Sequence, residues 1–273
     1  MKLAWATDIH LDACRDGRDT GFLEELAGSG ADAFLLGGDV ADGPYLGEWL
    51  RRIDAALRRP AYFVLGNHDY WGDHIDAVEG RMRDLRAERL RWLPGAGVVA
   101  LTPTTGLVGH GGWGDARCGD FLDSPTILSD YVLILDLQEA PGSPDPLAIF
   151  DDLPALQRKL HELGDRAAAE LRPQIAEAAR RFDRVLVLTH VPAFAEACWH
   201  RGQPSEEKWL PGFVSRAMGE VIRQTAAEHP ACRFTVLSGH THNEGQAQIL
   251  SNLDAFTQGA RYGAPAFRMV EVE

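Results

Sequence analysis

Five short blocks of this 273-residue chain carry the side chains that metal and phosphoryl chemistry use. They are Asp8-Ile9-His10, Gly38-Asp39-Val40-Ala41-Asp42, Gly66-Asn67-His68-Asp69, Thr189-His190 and Gly239-His240-Thr241-His242. Imidazole and carboxylate together suit Zn, Mn, Fe or Ni better than Ca or Mg alone. Asp8 and His10, like His240 and His242, stand two residues apart, so in extended backbone each pair points to one side. Asp8, His10, Asp39, Asn67, His190, His240 and His242 are the candidate ligands. One ion takes about four ligands, so this set, with one carboxylate shared, is the number expected for two divalent ions. Singly, each residue has a plainer role. His190 alone reads as a hydrogen-bonded polar residue, and Asp8 or Asp39 as a helix N-cap. Only the ensemble points to metal. Asp69 is expected to cap the following helix.

Each block follows an apolar run. Leu3 to Thr7, Ala31 to Gly37, Ala61 to Leu65, Arg184 to Thr189 and Cys232 to Leu237 read as buried strands. Between them, Gly21 to Ala27, Tyr45 to Leu57, Leu156 to Phe182 and Phe213 to Glu228 carry apolar residues at helical spacing. Trp71 to Leu90 reads as a polar helix, and Pro173 is expected to kink or divide the long one. Val98 to Leu101 and Gly106 to Val108 read as short strands. The tail, Ala247 to Leu250, Ala255 to Thr257 and Phe267 to Val270, reads as short antiparallel strands. This alternation predicts an α/β fold with a largely parallel sheet at its start. Ligands of such sheets bind at the carboxyl ends of the strands, so the five blocks are expected to converge on one edge. Glycine before Asp39, Asn67 and His240 is expected to let the backbone turn sharply there. Four prolines between Ala140 and Pro154 mark a loop whose length suggests a lid. We take residues 1–273 as one domain with a cap inserted around 121–160.

The formal charge of −13 repels nucleic-acid backbones, so a nuclease or other nucleic-acid partner is not expected. The four cysteines are scattered with no Cys-x-x-Cys pair, and read as reduced thiols. No apolar stretch is long enough to span a membrane. The N-terminal apolar run before Asp8 is too short for a secretory signal, so the cytoplasm is the expected compartment.

In order and in composition, the five blocks resemble the D-x-H, GDxxD, GNH(D/E), isolated His and GHxH signature of the calcineurin-like metallophosphoesterases. The resemblance covers most of the chain. It implies a four-layer α/β/β/α sandwich with the metal site at the carboxyl ends of the strands. Carried over by position, one ion would take Asp8, His10, Asp39 and His242, and a second Asp39, Asn67, His190 and His240. The cofactors implied are two divalent ions, with Mn, Fe and Zn the best suited. The resemblance further implies hydrolysis of a small phosphomonoester or phosphodiester, by a hydroxide that bridges the two ions. His68, oriented by Asp42, would face the substrate phosphate rather than bind metal. Gly43 stands where protein phosphatases of this superfamily carry Arg, which argues against a protein substrate. Asp39-Val40-Ala41-Asp42 also lacks the metal-binding Tyr of purple acid phosphatases. The other functional class weighed is a non-catalytic interaction scaffold; such chains often lose the substrate-facing His, which is present here as His68.

His110 and Trp113 lie in a glycine-rich segment, Gly109 to Asp115, at another strand end. Such a turn could cradle phosphate through backbone N–H groups, so both are candidate substrate contacts; the alternative is a tight turn filled by Trp113. Tyr70, Trp71, Phe194 and Trp199 flank the site, where they could line a pocket or simply pack.

Overall fold

A computed structural model describes residues 1–138 and 145–273. The first part of the chain runs β1 (Lys2–Ala6), α1 (Arg18–Gly28), β2 (Ala33–Gly37), α2 (Gly43–Ala56) and β3 (Ala61–Val64). Then come α3 (Ile75–Arg83), β4 (Leu90–Trp92), α4 (Leu93–Ala96), β5 (Val99–Ala100) and β6 (Thr105–Gly109). Two short helices, α5 (Asp130–Leu133) and α6 (Leu135–Gln138), lead to the long α7 (Leu153–Arg181) and β7 (Arg184–Leu188). A small ribbon of β8 (Trp199–His200) and β9 (Gln203–Pro204) precedes α8 (Leu210–Phe213), α9 (Arg216–Glu228) and β10 (Arg233–Ser238). The chain ends in β11 (Gly245–Leu250), β12 (Leu253–Thr257) and β13 (Arg268–Glu271).

Two large sheets result, with orders β13-β1-β2-β3-β4 and β11-β12-β10-β7-β6-β5. Neighbours from β1 to β4, and from β6 through β7 and β10 to β12, run parallel, while the remaining pairs are antiparallel. The period-two alternation of the strands explains how they stack. Leu3, Trp5, Leu35 and Val64 of the first sheet pack with Leu107, Leu186, Leu188 and Leu237 of the second, forming a layer between the sheets. The alternate residues, Ala4, Ala6, Phe34 and Phe63 on one side and Val108, Val185 and Val187 on the other, join the core shared with the helices. Both faces of each sheet are covered, which is why the parallel strands read as continuous apolar runs. The architecture is the expected four-layer sandwich.

Some local expectations change. Of the helix expected over Trp71 to Leu90, only α3 forms. Asp54 on α2 accepts the N–H groups of Glu88, Arg89 and Leu90 at 3.0, 2.7 and 3.1 Å, and draws the chain into β4 beside β3. Pro173 does not divide α7. The tail is not wholly antiparallel, since β12 runs parallel to β10 and β13 crosses to pair with β1 in the other sheet. Pro141 and Pro144, in the expected 140–154 loop, lie outside the described residues; Asp145 opens a 3₁₀ turn, Pro146–Asp151. All four cysteines are free. No described helix is long and apolar enough to cross a membrane.

Candidate metal centre

The segments after β1, β2, β3, β7 and β10 meet at one edge of the sandwich. The backbone bends hard to present their side chains. Asp8, His10, Asp39, His240 and His242 all sit at positive φ, with 52°, 37°, 50°, 69° and 53°. Such non-glycine conformations cost on the order of 1–3 kcal/mol each, and persist only where the surroundings enforce them. Here the loops lock one another: the amides of Asp8 and His10 donate to the carbonyls of Gly38 and Asp39, each at 3.0 Å. The preceding glycines serve different needs. Gly38 has a φ of 90°. Gly66 and Gly239 are instead required for space, because a Cβ would stand 2.2 Å from Asp39 Oδ1 and 2.0 Å from Asp8 Oδ2.

Asp8, His10, Asp39 and His242 bring one ligand atom each to within 4.8 Å of one another. His10 Nε2 lies 3.3 Å from His242 Nε2 and 3.7 Å from Asp39 Oδ2, and His242 Nε2 lies 3.3 Å from Asp8 Oδ1. Ligand atoms about 2.0–2.2 Å from one ion stand roughly 3–3.5 Å apart, so these spacings fit a shared cation.

A second set forms beside it. Asn67 Oδ1 is 2.9 Å from both His190 Nε2 and His240 Nδ1, and His190 Nε2 is 3.4 Å from Asp39 Oδ2. Asp39 Oδ2 thus faces both sets. Each ring also faces a carbonyl on its outer side. His190 Nδ1 faces the Gly37 carbonyl at 2.9 Å, and His240 Nε2 faces that of Gly212 at 3.0 Å. A neutral imidazole carries one N–H, yet both nitrogens of each ring face an oxygen that only accepts, so neither ring can satisfy both contacts. The Asn67 amide nitrogen donates to Asp130 Oδ1 at 2.8 Å, which turns its oxygen inward. Two neutral imidazoles, an amide oxygen and a carboxylate oxygen therefore converge with one N–H too few for each ring. Such a cluster repels itself unless a cation fills it, and ligating histidines typically have this kind of outer hydrogen bond.

The electrostatics agree. Burial first, then neighbouring imidazoles, hold His10, His68 and His240 down to about 3, and burial also lowers His190. Neutral imidazole is the ligating form. Burial, reinforced by the charges of Asp8 and Asp39's other acidic neighbours, pushes the Asp39 carboxyl well above its ordinary range. Burial acts likewise on Asp8, but His190, His242 and Thr7 outweigh it and hold that carboxyl low. Without a cation, Asp39 is thus an unfavourable buried charge.

Around the ligands, Asp69 has a structural task that differs from the expected helix cap. Its buried carboxylate accepts the N–H groups of Asp39, Val40, Ala41 and Gly66 at 2.8–3.2 Å, tying the loop after β2 to the loop after β3. His68 stays out of the ligand set. Its Nδ1 lies 2.9 Å from Asp42 Oδ1, and its ring lies against Trp71 with centroids 3.5 Å apart. The Tyr262 hydroxyl stands 3.4 Å from His68 Nε2. An open cleft of about 290 Å³ is bounded by Asp39, Asn67, His68, His240 and His242 on its polar floor, and by Trp71, Phe213 and Tyr262 on its aromatic walls.

The seven expected ligands, with His68 and Asp42, thus come together. His110 and Trp113 do not line this cleft. His110 accepts from the Gly112 N–H at 3.0 Å and faces Glu170 of α7 at 3.4 Å, and Trp113 packs against Tyr70 with centroids 5.0 Å apart. The glycine-rich segment is a packed turn: a Cβ on Gly111 or Gly114 would strike the carbonyl of Leu65 or Gly212 at 2.0–2.1 Å. Tyr70 and Phe194 are buried. Asp130, Phe213 and Tyr262 were not singled out from the sequence. Asp130 opens the one-turn α5, Phe213 closes the one-turn α8 and Tyr262 lies in the turn before β13, and only Asp130 has an obvious chemical type, one shared with many surface carboxylates.

A family profile described as calcineurin-like phosphoesterase matches residues 1–244. Among solved structures, a phosphopantetheinyl hydrolase from Mycobacterium tuberculosis superposes with a TM-score of 0.63 at 13% identity, covering 98% of this chain and 95% of that one. A dimetal phosphatase from Danio rerio gives a TM-score of 0.56 at 13% identity, covering 95% and 87%. At such identity these two establish a shared fold. No curated protein sequence matches the chain. The family profile spans the five strand-end blocks, and the fold places them around one cleft; the chain belongs to the calcineurin-like phosphoesterase family, whose general chemistry is metal-dependent phosphoester hydrolysis.

Proposed function

We propose that the chain hydrolyses a small phosphomonoester or phosphodiester. Asp8, His10, Asp39 and His242 would hold one divalent cation, and Asp39, Asn67, His190 and His240 a second, with Asp39 common to both. The observation that carries this is the convergence of His190, His240 and Asp39 around Asn67 Oδ1, where each neutral imidazole faces an acceptor oxygen at both nitrogens. When bound, such a pair of ions supplies an activated water and neutralises phosphate oxygens. Mn, Fe and Zn suit the mixed nitrogen and oxygen donors.

The chain's own residues do the rest. His68 Nε2 opens toward the cleft, and is the group placed to hydrogen-bond the phosphate and give a proton to the departing oxygen. Asp42 on Nδ1 fixes the ring and favours its charged form, as does an incoming phosphate dianion. Trp71 limits rotation of the ring from one face. We read residues 1–273 as one domain with the stretch around 121–160 as its cap. Leu128, Ser129 and Asp130 of that stretch reach the cleft, while Tyr131, Ile134 and Leu137 are buried in the common core.

The test is hydrolysis of paired aryl phosphate mono- and diesters by Mn²⁺-loaded protein, with Asp39→Asn as the blank. Turnover of either ester, lost in the variant, supports the proposal and shows which bond class is cleaved. Equal turnover by the variant refutes the assignment of Asp39.

A further inference from the structure

A second recess of about 180 Å³ adjoins the cleft. Trp199 and His200 of the β8–β9 ribbon, Trp209, Phe213, Thr241 and Asn243 form most of its wall. Phe213 and Thr241 line both spaces, so the recess opens directly beside the ligand histidines. Together the two volumes fall in the roughly 300–1,000 Å³ range of small-molecule sites.

The recess is built of ring faces. The Phe213 ring lies 4.9 Å from that of the ligand His240, Trp209 meets Phe213 edge-on at 6.1 Å, and His200 stacks on Trp209 at 6.3 Å. Several of its polar groups are already engaged. Asn243 Oδ1 accepts from the Arg201 N–H and its Nδ2 donates to the Thr241 carbonyl, while the Trp199 indole donates to the Glu196 carbonyl. Beyond the Ser205 hydroxyl and the His200 ring nitrogens, little remains to read a hydroxylated sugar or a charged peptide. What remains is flat apolar surface, including a Trp209 side chain that is 37% exposed. A large aromatic left partly open beside a reaction cleft is a surface prepared for a ring.

We propose that this recess binds a planar aromatic arm of the phosphoester, held a few bonds from the phosphorus that sits in the cleft. The inference rests on the phosphoesterase proposal and deepens it. A nucleobase and a simple arene share the required chemistry. Trp199, Trp209 and Phe213 would then set specificity, and would act on substrate binding rather than on bond cleavage.

The experiment uses the Mn²⁺-loaded 273-residue chain and esters whose departing alcohols are closely matched in acidity. One series is methyl, benzyl and 2-naphthylmethyl phosphate; a second pair is ribose 5-phosphate and adenosine 5′-monophosphate. Ring stacking on aromatic side chains predicts a preference of about tenfold to a hundredfold in kcat/KM for the ring-bearing member, carried mainly by KM. Trp209→Ala and Trp199→Ala should bring the ratio within each series toward one. Preference in the adenosine pair identifies a nucleobase, and preference in the naphthyl series alone identifies an apolar arene. Binding of 2-naphthylmethanol, measured by calorimetry, supplies a readout that needs no turnover. If none of these monoesters or their phosphate methyl diesters is hydrolysed but the alcohol binds wild type and not Trp209→Ala, the phosphoesterase proposal fails and the recess stands. Equal kcat/KM across both series, or a preference that survives both substitutions, overturns the recess.

Discussion

Asp130 offers the sharpest handle on the centre, because it touches the ligand set through one residue only. Its Oδ1 accepts from the Asn67 amide at 2.8 Å and from the Trp71 indole at 2.7 Å. The first bond keeps Asn67 Oδ1 turned toward His190 and His240. Replacing Asp130 with Ala removes a hydrogen bond to a carboxylate, worth about 1.5–3 kcal/mol, and frees the amide to rotate. Outer-shell substitutions typically cost about 10- to 100-fold in metal affinity, or roughly 1.4–2.7 kcal/mol, which is the same range. We therefore expect Asp130→Ala to weaken one of two Mn²⁺ sites by about 10- to 100-fold and the other by far less, since Asp8, His10 and His242 make no bond to Asn67 or Asp130. Asp130→Asn removes the charge but keeps an acceptor oxygen, and should fall between wild type and Ala. Two-site calorimetric titration measures this, with circular dichroism and Tm reporting whether the buried position still folds. Equal weakening of both sites in both variants would mean that Asp130 acts only as a distant charge. A change under about twofold at either site would mean that Asn67 does not depend on it, and either result refutes the reasoning.

Asp39→Asn should abolish Mn²⁺-dependent turnover yet stabilise the metal-free protein. The Asp39 carboxyl is raised on folding, so its contribution is fully favourable below about pH 4 and declines as pH rises toward its folded value. The Tm difference between variant and wild type should therefore grow with pH above about 4 in EDTA and shrink when Mn²⁺ is present; a pH-independent difference would contradict this. His68→Ala should lower kcat by about 10²- to 10⁴-fold with smaller effect on KM, and steady-state kinetics on a diester or monoester will show whether it does. Gly239→Ala places a Cβ 2.0 Å from Asp8 Oδ2. Overpacking of this kind costs about 1–3 kcal/mol, and the variant should also lose Mn²⁺ affinity in titration, whereas Gly47→Ala on α2, with open space at its Cβ, should keep it.

What the sequence made legible was local. Each ligand block is a few consecutive residues behind an apolar run, and parallel strands buried on both faces advertise their ends clearly. Asp8, Asp39, Asn67, His190 and His240 could be placed because strand and ligand lie almost side by side in the chain, with a glycine between them before Asp39, Asn67 and His240. Asp130 and Tyr262 could not. Their importance depends on where a one-turn helix and a loop return to the sheet edge, and no periodicity encodes that return. The turn at His110 shows the converse. Glycines before and after a histidine at a strand end look like an anion cradle, but Gly111 and Gly114 are there so that backbones can pass closely. Helix α3 stops early for a tertiary reason as well, since the Asp54 carboxylate takes the N–H groups that a longer helix would use. The direction of β12 was equally hidden, because short apolar runs look alike whichever way they pair.

The two ligand sets each draw on both sheets. Asp8, His10, Asp39 and Asn67 hang from the first, and His190, His240 and His242 from the second. The apolar layer of Leu3, Trp5, Leu35, Leu107, Leu186 and Leu237 lies between those sheets, and so works as a spacer gauge for the centre. A cation bound there is a clasp across the seam, and thinning or thickening that layer by one methylene changes the gap the clasp must span. Mutations deep in the apolar interior should accordingly show up as altered metal selectivity, with larger or smaller ions favoured, before they show up as loss of fold.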